Sequence, residues 1–265
     1  MARNVSIDVK RRILVCNDDG IYSPGISALA KVAARFGEVR IVAPDVEQSS
    51  MGHAITSSRP LRLRQTPLPG GFDAYRVNGT PADCVALGQY HWKRVDLVLS
   101  GINLGPNLGS ACWHSGTVAA AKQAALLGLR GIAFSTAVTE KEPDFGSLEP
   151  YVEESLKLLI DQTHMRLVNV NLPEKPKGIR WTRLALKQYD GEVVPGRDPL
   201  NRPIYWFTVK PLKGEEEGTD RWAFSKGYVS ITPLRLDLTD EKDLARILAL
   251  QDSLITAKTL KKSKT

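Results

Sequence analysis

A pair of adjacent aspartates lies directly after a short apolar run near the start of the chain. The run at residues 13–16 is followed by Asn17, Asp18, Asp19 and Gly20. Two carboxylates at the end of a buried strand suit a hard divalent cation such as Mg²⁺ or Mn²⁺, which takes oxygen ligands. The same pair is also typical of a cap on the following helix, so the motif alone leaves both interpretations open.

A polar segment with further oxygen ligands follows the next apolar run, at residues 39–43. Asp45 and Ser49 are the candidates within this segment, which covers residues 44–53. Both side chains offer oxygen atoms of the kind that a hard cation accepts. On its own, the segment is more typical of an ordinary loop.

Glycine and asparagine dominate residues 100–109, after a third apolar run. The glycines fall at a strict four-residue interval, at Gly101, Gly105 and Gly109. Asn103 and Asn107 lie between them. Glycine lets backbone N–H groups approach an anion, while an asparagine can ligate a metal through oxygen or donate to a phosphate through nitrogen. The composition favours a functional loop over a structural turn.

A candidate phosphate site lies at the start of an alanine-rich helical pattern. Ser115, Gly116 and Thr117 open the predicted helix, which covers residues 115–127. A helix N-terminus with free N–H groups and two hydroxyls is suited to binding a phosphate. A plain serine or threonine cap is the alternative. His114, just before this segment, is more typical of a structural hydrogen-bonding residue than of an acid.

Alternating strand and helix patterns predict the framework that brings these motifs together. Up to about residue 172, short apolar runs alternate with helical patterns, two of which open at Pro24 and Pro81. This alternation is typical of βαβ units, with a mostly parallel sheet and helices on both faces. Ligands of such sheets bind beyond the carboxyl ends of the strands, where these motifs lie. We therefore expect the motifs to line one crevice.

The character of the chain changes after about residue 173. Strand patterns separated by glycine, proline and charged residues predict a β-rich extension, and a helical pattern closes the chain. We therefore predict an α/β catalytic core over residues 1–172, a β-rich extension over residues 173–239, and a C-terminal helix with a basic tail over residues 240–265.

Composition and charge limit the classes of protein to consider. Of the 265 residues, 42% are hydrophobic and 25% are charged, which is typical of a globular protein with a normal core. No apolar run approaches the roughly 18 to 20 residues of a membrane helix or forms a signal peptide, so we expect a cytoplasmic protein without a membrane partner. The three cysteines form no Cys-x-x-Cys motif. The net charge of +7 favours anionic substrates, but the basic tail lacks the interleaved aromatic residues typical of nucleic-acid binding.

The motifs together supply an acidic site for a metal ion and a neutral, donor-rich site for an anion. The chain has no Walker lysine loop, no Gly-x-Ser-x-Gly elbow and no His-Glu-x-x-His motif. A metal site beside a phosphate cradle points to hydrolysis of a phosphate ester.

Five blocks of the sequence resemble those of the survival protein E (SurE) family of nucleotidases. They keep the family's order and spacing from about Arg12 to Leu254, which is nearly the whole chain. The blocks are residues 13–20 with 24–26, 42–45 with Ser49, 77–85, 100–109 with 115–121, and 227–234.

The resemblance implies a metal-dependent phosphatase that hydrolyses nucleoside 5′- and 3′-monophosphates and, in some members, shortens polyphosphate. It implies a Rossmann-like, three-layer core and a β-rich extension that assembles a homodimer or a homotetramer. It places one divalent ion, Mg²⁺ or Mn²⁺, on four ligands, namely Asp18, Asp19, Ser49 and Asn103. Ser50 is an alternative to Ser49, which is chosen by counting from Asp45.

The hypothesis for the mechanism assigns the catalytic work to Asp18 and Asp19. One of them accepts a proton from the attacking water, or attacks phosphorus itself. The phosphoryl group is held by Asn107, Ser115, Gly116 and Thr117. Two other functions stay open for the same crevice: a nucleotide sensor without catalysis, and a transferase that uses a nucleotide sugar.

Overall fold

The computed structural model describes residues 10–138, 143–186, 189–211 and 214–262. The chain divides into two compact units, the first ending at Leu234 and the second beginning at Arg235. Every described strand belongs to the first unit, and so do all of the residues predicted to form the site.

Strands and helices alternate through most of the first unit, as the sequence patterns predict. The strands are β1 (Arg12–Cys16), β2 (Glu38–Pro44), β3 (Leu63–Gln65), β4 (Asp73–Val77), β5 (Leu97–Leu104), β6 (Gly131–Thr136), β7 (Leu167–Leu172), β8 (Ile179–Trp181), β9 (Tyr189–Arg197), β10 (Pro203–Pro211) and β11 (Val229–Leu234). The helices are α1 (Pro24–Ala33), α2 (Pro81–Trp92), α3 (Gly116–Leu126), α4 (Phe145–Leu159), α5 (Asp220–Ser225) and α6 (Glu241–Lys262). A short 3-10 helix, Gly109–Trp113, lies between β5 and α3.

A nine-stranded sheet forms the framework, in the order β3-β4-β2-β1-β5-β6-β7-β11-β8. The strands from β4 to β7 in this order are all parallel. β3 and β11 run antiparallel to their neighbours β4 and β7. This arrangement confirms the predicted α/β fold with a mostly parallel sheet. Because parallel strands end at the same edge, the segments that follow β1, β2 and β5 lie next to one another.

Helices cover both faces of this sheet and give a three-layer core. Along β1, Ile13 and Val15 pack with α1 and α4 in one hydrophobic cluster. Leu14 and Cys16 point to the opposite face and pack with α2 and α3. Successive side chains of a strand alternate between faces, so a strand that is buried on both sides needs an unbroken apolar run.

The residues predicted to form a β-rich extension, 173–239, contribute strands to two sheets. β8 and β11 join the central sheet beside β7, while β9 and β10 form a separate antiparallel ribbon. The ribbon exposes several large apolar side chains, namely Val193, Val194, Tyr205, Trp206 and Phe207. The domain limits at residues 172 and 239 stay a prediction.

The second unit contains the long helix α6, as the helical pattern near the C-terminus predicts. Its described apolar side chains are partly exposed, at Leu244, Ile247, Leu248 and Leu250. Within the described ranges, no helix combines the length and the apolar character needed to cross a membrane. The last residues of the predicted basic tail, 263–265, lie outside the described residues.

Candidate active site

A crevice of about 230 Å³ opens at the carboxyl edge of the central sheet. Five of the predicted site residues line it, namely Asp18, Ser49, Asn103, Asn107 and Ser115. Asp19, Gly116 and Thr117 adjoin these residues along the chain. The structure therefore brings together the segments that the sequence predicted to meet.

Asp18 is buried against the N-terminus of α3. The hydroxyl of Thr117 donates a hydrogen bond of 2.5 Å to Asp18 Oδ1. A Cβ added at Gly116 would lie 2.7 Å from Asp18 Cβ and 2.9 Å from its Oδ2, so only glycine permits this approach. Asp18 thus contacts the first turn of α3, which lies far along the chain, and the N-cap of α1, the helix that follows the aspartates, is Ser23. Neither aspartate therefore occupies the N-cap of the helix that follows the motif, which was the alternative interpretation of the pair.

Asp19 lies next to Asp18 in the chain and contacts the end of β5. The backbone N–H of Leu104 donates to Asp19 Oδ2 at 3.2 Å. Burial, together with the charges of Asp18 and Glu47, raises the pKa of Asp19 to about 7, while the hydrogen bond from Leu104 acts in the opposite direction. Burial also raises the pKa of Asp18, an effect that the Thr117 hydroxyl partly offsets. Close carboxylates that raise one another's pKa are stabilised in their charged form by a nearby cation.

Glu47 is a third carboxylate near the aspartates, and the sequence motifs did not single it out. It accepts a hydrogen bond of 2.6 Å from the hydroxyl of Ser49 and adds negative charge beside Asp18 and Asp19. The backbone N–H of Gln48 donates to the carbonyl of Asp18, which fixes this segment against the first motif. Ser50 also lines the crevice, so the structure places both candidate serines there. The one sequence feature that points to Glu47 is its position, because it comes immediately before Gln48 and Ser49.

Asn103 reaches the crevice because strand β5 is irregular at Gly101. The register between β5 and β6 shifts between Ser100 and Asn103, and such a bulge re-aims the following side chains. Gly101 has φ +130°, and a Cβ there would lie 2.2 Å from the carbonyl oxygen of Phe134. The amide nitrogen of Asn103 donates to the Gly105 carbonyl at 2.6 Å. Its Oδ1 accepts no hydrogen bond within the described residues and is free to act as a ligand.

A buried polar network supports the floor of the crevice. The side-chain nitrogen of Asn107 donates to Ser135 Oγ at 2.8 Å and approaches Thr117 Oγ1 at 3.5 Å. Its backbone N–H donates to Asn171 Oδ1 at 2.8 Å, and its carbonyl accepts from Asn169 at 2.7 Å. Asn107 is therefore held from four sides, and it connects β6 and β7 to the α3 N-terminus. The polar residues at the ends of β6 and β7 were not predicted to belong to the site.

The start of α3 offers donors that face the crevice. Ser115 Oγ accepts the N-cap hydrogen bond from the Val118 N–H at 3.0 Å, which leaves its hydroxyl proton free to donate outward. The N-terminal N–H groups of the helix carry a partial positive charge. The Gly52 N–H donates to the His114 carbonyl at 2.9 Å and closes one side of the crevice. The side chain of His114 is exposed at this rim.

Asp220 connects the glycine-rich loop to the later part of the chain. It is fully buried and accepts hydrogen bonds from the backbone N–H groups of Gly109 at 2.8 Å and Ala185 at 2.9 Å. Burial raises the pKa of Asp220, and these hydrogen bonds act in the opposite direction. Asp220 therefore anchors the loop that carries Asn103 and Asn107.

Two carboxylates, a hydroxyl and an amide oxygen form the predicted set of metal ligands. Across the described part of the chain, no three His, Cys, Asp or Glu side chains form a group that could hold a metal ion. The set therefore depends on the neutral oxygens of Ser49 and Asn103. Such an oxygen-only set suits Mg²⁺ or Mn²⁺ better than zinc, which prefers nitrogen and sulfur ligands.

Sequence comparisons identify close relatives over most of the chain. The family described as "Survival protein SurE" matches residues 13–191. The 5′-nucleotidase SurE 1 of Thermus thermophilus is 49% identical over 233 residues, which cover 86% of this chain and 93% of that protein. The 5′-nucleotidase SurE of Deinococcus radiodurans is 46% identical over 242 residues, covering 88% of this chain and 90% of that protein.

A solved structure has the same fold. The crystal structure of the SurE protein from Aquifex aeolicus superposes with a TM-score of 0.78 at 40% sequence identity. The match covers 91% of this chain and 99% of that one. The similarity therefore extends through the core and most of the residues after it.

Proposed function

The chain belongs to the survival protein SurE family, and from that premise we propose that it hydrolyses nucleoside 5′-monophosphates to nucleoside and phosphate. The observation that carries this proposal is the placement of Asp18 in the crevice against the N-terminus of α3, with Asp19 next to it in the chain. This arrangement sets acidic oxygens beside phosphate-binding donors, as phosphate ester hydrolysis requires. Nucleoside 3′-monophosphates and short polyphosphate are further substrates in this proposal.

The residues present fit one divalent cation, Mg²⁺ or Mn²⁺. Asp18, Asp19, Ser49 and Asn103 would hold it, because all four offer oxygen atoms at the same edge of the sheet. Burial and the neighbouring charge of Asp18 raise the pKa of Asp19, and a cation beside the two carboxylates would stabilise their charged forms. When bound, the cation supplies positive charge that stabilises the phosphoryl oxygens during the reaction.

The phosphoryl group is bound by the start of α3. The hydroxyl of Ser115 and the backbone N–H of Gly116 donate to its oxygens and orient it towards the aspartates. Thr117 and Asn107 belong to the same wall of the crevice. Because their side chains are hydrogen-bonded to Asp18 and Ser135, we assign them the additional task of fixing this wall in place.

Asp19 takes the proton of the attacking water in this proposal. It is less buried than Asp18, and its Oδ1 lacks a partner in the described residues, since Leu104 contacts Oδ2. Direct attack by an aspartate on phosphorus is the competing route. Acid quenching during turnover distinguishes the two, because only direct attack leaves phosphate covalently attached to the protein.

The exposed apolar ribbon of β9 and β10 supports an assembly role. Tyr205, Trp206 and Phe207 are each between 64% and 69% exposed. A two-stranded ribbon with such a surface is marginally stable in water without a partner. We propose that the ribbon forms a contact between copies of the chain in a homodimer or a homotetramer.

The experiment that tests the proposed reaction is phosphate release from a panel of substrates in the presence of Mn²⁺ or Mg²⁺. The panel contains 5′- and 3′-nucleoside monophosphates, tripolyphosphate and a nucleotide sugar. We expect turnover of the 5′-monophosphates and slower release from the other phosphate esters. Tight nucleotide binding without any phosphate release would instead support a sensor, and turnover of the nucleotide sugar alone would support a transferase.

A further inference from the structure

A second cavity, lined by three arginines, opens at the same edge of the sheet as the crevice. It measures about 170 Å³ and is lined by Arg62, Arg64, Arg76, Asn78 and Asp45. Three guanidinium groups and one carboxylate give it a net positive charge. None of the residues proposed for catalysis lines this cavity.

The strand register forces two of these arginines together. β3 and β4 pair antiparallel, with Arg64 directly opposite Arg76. Like charges at directly opposed positions of an antiparallel pair destabilise the sheet. An arrangement of this kind is stabilised when an anion binds between the two side chains.

The described residues provide these three arginines with no ion-pairing carboxylate. Within the described residues, Arg62, Arg64 and Arg76 form no ion pair, and Asp45 is not within ion-pairing distance of them. An arginine on the neighbouring strand β2 behaves differently, since Arg40 forms an ion pair of 2.7 Å with Asp73 of β4. The lack of an ion-pairing carboxylate is therefore particular to the three arginines of the cavity and is not general to this part of the sheet.

The cavity also offers a neutral donor. The side-chain oxygen of Asn78 accepts a hydrogen bond of 2.7 Å from the backbone N–H of Arg62. Its amide nitrogen is thereby left to donate into the cavity. Two or more guanidinium groups with an amide donor are a set that recognises the oxygens of a phosphate, often through paired hydrogen bonds.

The cavity lies close to the proposed active site along the edge of the sheet. β4 and β1 are separated by β2 alone, so the two positions are roughly 10 Å apart at the usual strand spacing. The segment after β2 connects them, because Asp45 lines the cavity while Gln48 binds the Asp18 carbonyl. Arg76 lies on the face of the sheet that α1 covers, because Ala74, two residues before it, packs in the same cluster as α1. Asp18 contacts α3, which covers the opposite face.

We propose that Arg62, Arg64 and Arg76 form a second binding site for a phosphate-type oxyanion. Two sources of that anion share this chemistry. One is a second phosphate group on a substrate whose first phosphate occupies the crevice. This first alternative rests on the proposed nucleotidase function. The other is a separate small anion, such as inorganic pyrophosphate, that binds independently of the substrate.

Calorimetric titration with pyrophosphate tests the site. The protein is stripped of divalent metal and dialysed free of chelator into low-salt buffer, so that the acidic crevice is unfavourable for anions. We expect Arg76→Gln and Arg64→Gln each to weaken pyrophosphate binding at least tenfold, equivalent to about 1.4 kcal/mol. Arg59→Gln is the matched control, because it removes the same charge from an exposed residue just before β3, and should change affinity less than twofold.

The same variants identify the source of the anion. If the ratio of kcat/KM for adenosine 3′,5′-bisphosphate to that for AMP falls in Arg76→Gln, the site binds a second phosphate of the substrate. If pyrophosphate binding weakens and this ratio does not change, the site binds a separate anion. Equal pyrophosphate affinities in Arg76→Gln, Arg64→Gln and Arg59→Gln, or no binding by the original protein, would overturn the proposal. Because the titration requires no turnover, its failure leaves the proposed nucleotidase function untouched.

Discussion

Replacing Asp19 with asparagine is expected to lower kcat/KM for AMP at least a thousandfold, which corresponds to about 4 kcal/mol of transition-state stabilisation. The substitution keeps the shape of the side chain and can preserve the hydrogen bond from Leu104, so the fold should persist. It removes one negative charge from the proposed metal site and the oxygen that accepts a proton. Steady-state kinetics with Mn²⁺ measures the loss.

The matched control is Asp161→Asn, which makes the same chemical change at an exposed residue after α4, where it contacts Arg11 at 3.7 Å. Its kcat/KM should stay within twofold of that of the original protein. Thermal unfolding of both variants establishes that they are folded. An Asp19→Asn variant that retains turnover within tenfold would show that the site has been assigned to the wrong residue.

Replacing Gly116 with alanine is expected to lower kcat/KM for AMP at least a hundredfold. The new methyl group would lie 2.7 Å from Asp18 Cβ, a separation that real Cβ atoms essentially never show, so the carboxylate must move. Moving it disturbs both the contact with Thr117 and the donors at the start of α3. Overpacking of this kind also destabilises the fold, typically by about 1 to 3 kcal/mol.

Gly146→Ala is the matched control for this substitution. Gly146 also lies in the first turn of a helix, but its nearest contact is the exposed side chain of the N-cap residue Asp144, at 3.1 Å. We expect nearly unchanged kinetics and stability in this control. Unchanged kcat/KM in Gly116→Ala would contradict the inference that Asp18 must pack against the α3 N-terminus in order to act.

The parallel core and the convergence of the motifs could be predicted from the sequence. Strands such as β1 are buried on both faces and therefore appear as unbroken apolar runs. The carboxyl-edge rule then places Asp18, Asp19 and Asn103 near one another without any knowledge of side-chain contacts. The motifs lie at strand ends, so errors of one or two residues in the strand limits do not change this conclusion.

The contacts between distant segments could not be predicted in the same way. Thr117 binds Asp18 across 99 residues of sequence, and nothing local to either residue encodes that contact. Strand β9 contains Gly191, Pro195 and Gly196, which weaken the strand pattern, so the sequence does not predict this strand of the ribbon. The pairing of Arg64 with Arg76 depends on the register of β3, a strand of three residues at the edge of the sheet.

The central claim is that Asp18, Asp19, Ser49 and Asn103 hold a divalent cation on which nucleotide hydrolysis depends. The most direct test measures phosphate release from AMP by one preparation of the protein, first treated with excess chelator and then supplied with Mn²⁺ or Mg²⁺. We predict that chelation lowers turnover at least a hundredfold and that added Mn²⁺ or Mg²⁺ restores it. Full turnover in the presence of chelator would contradict the metal site and the roles assigned to its ligands.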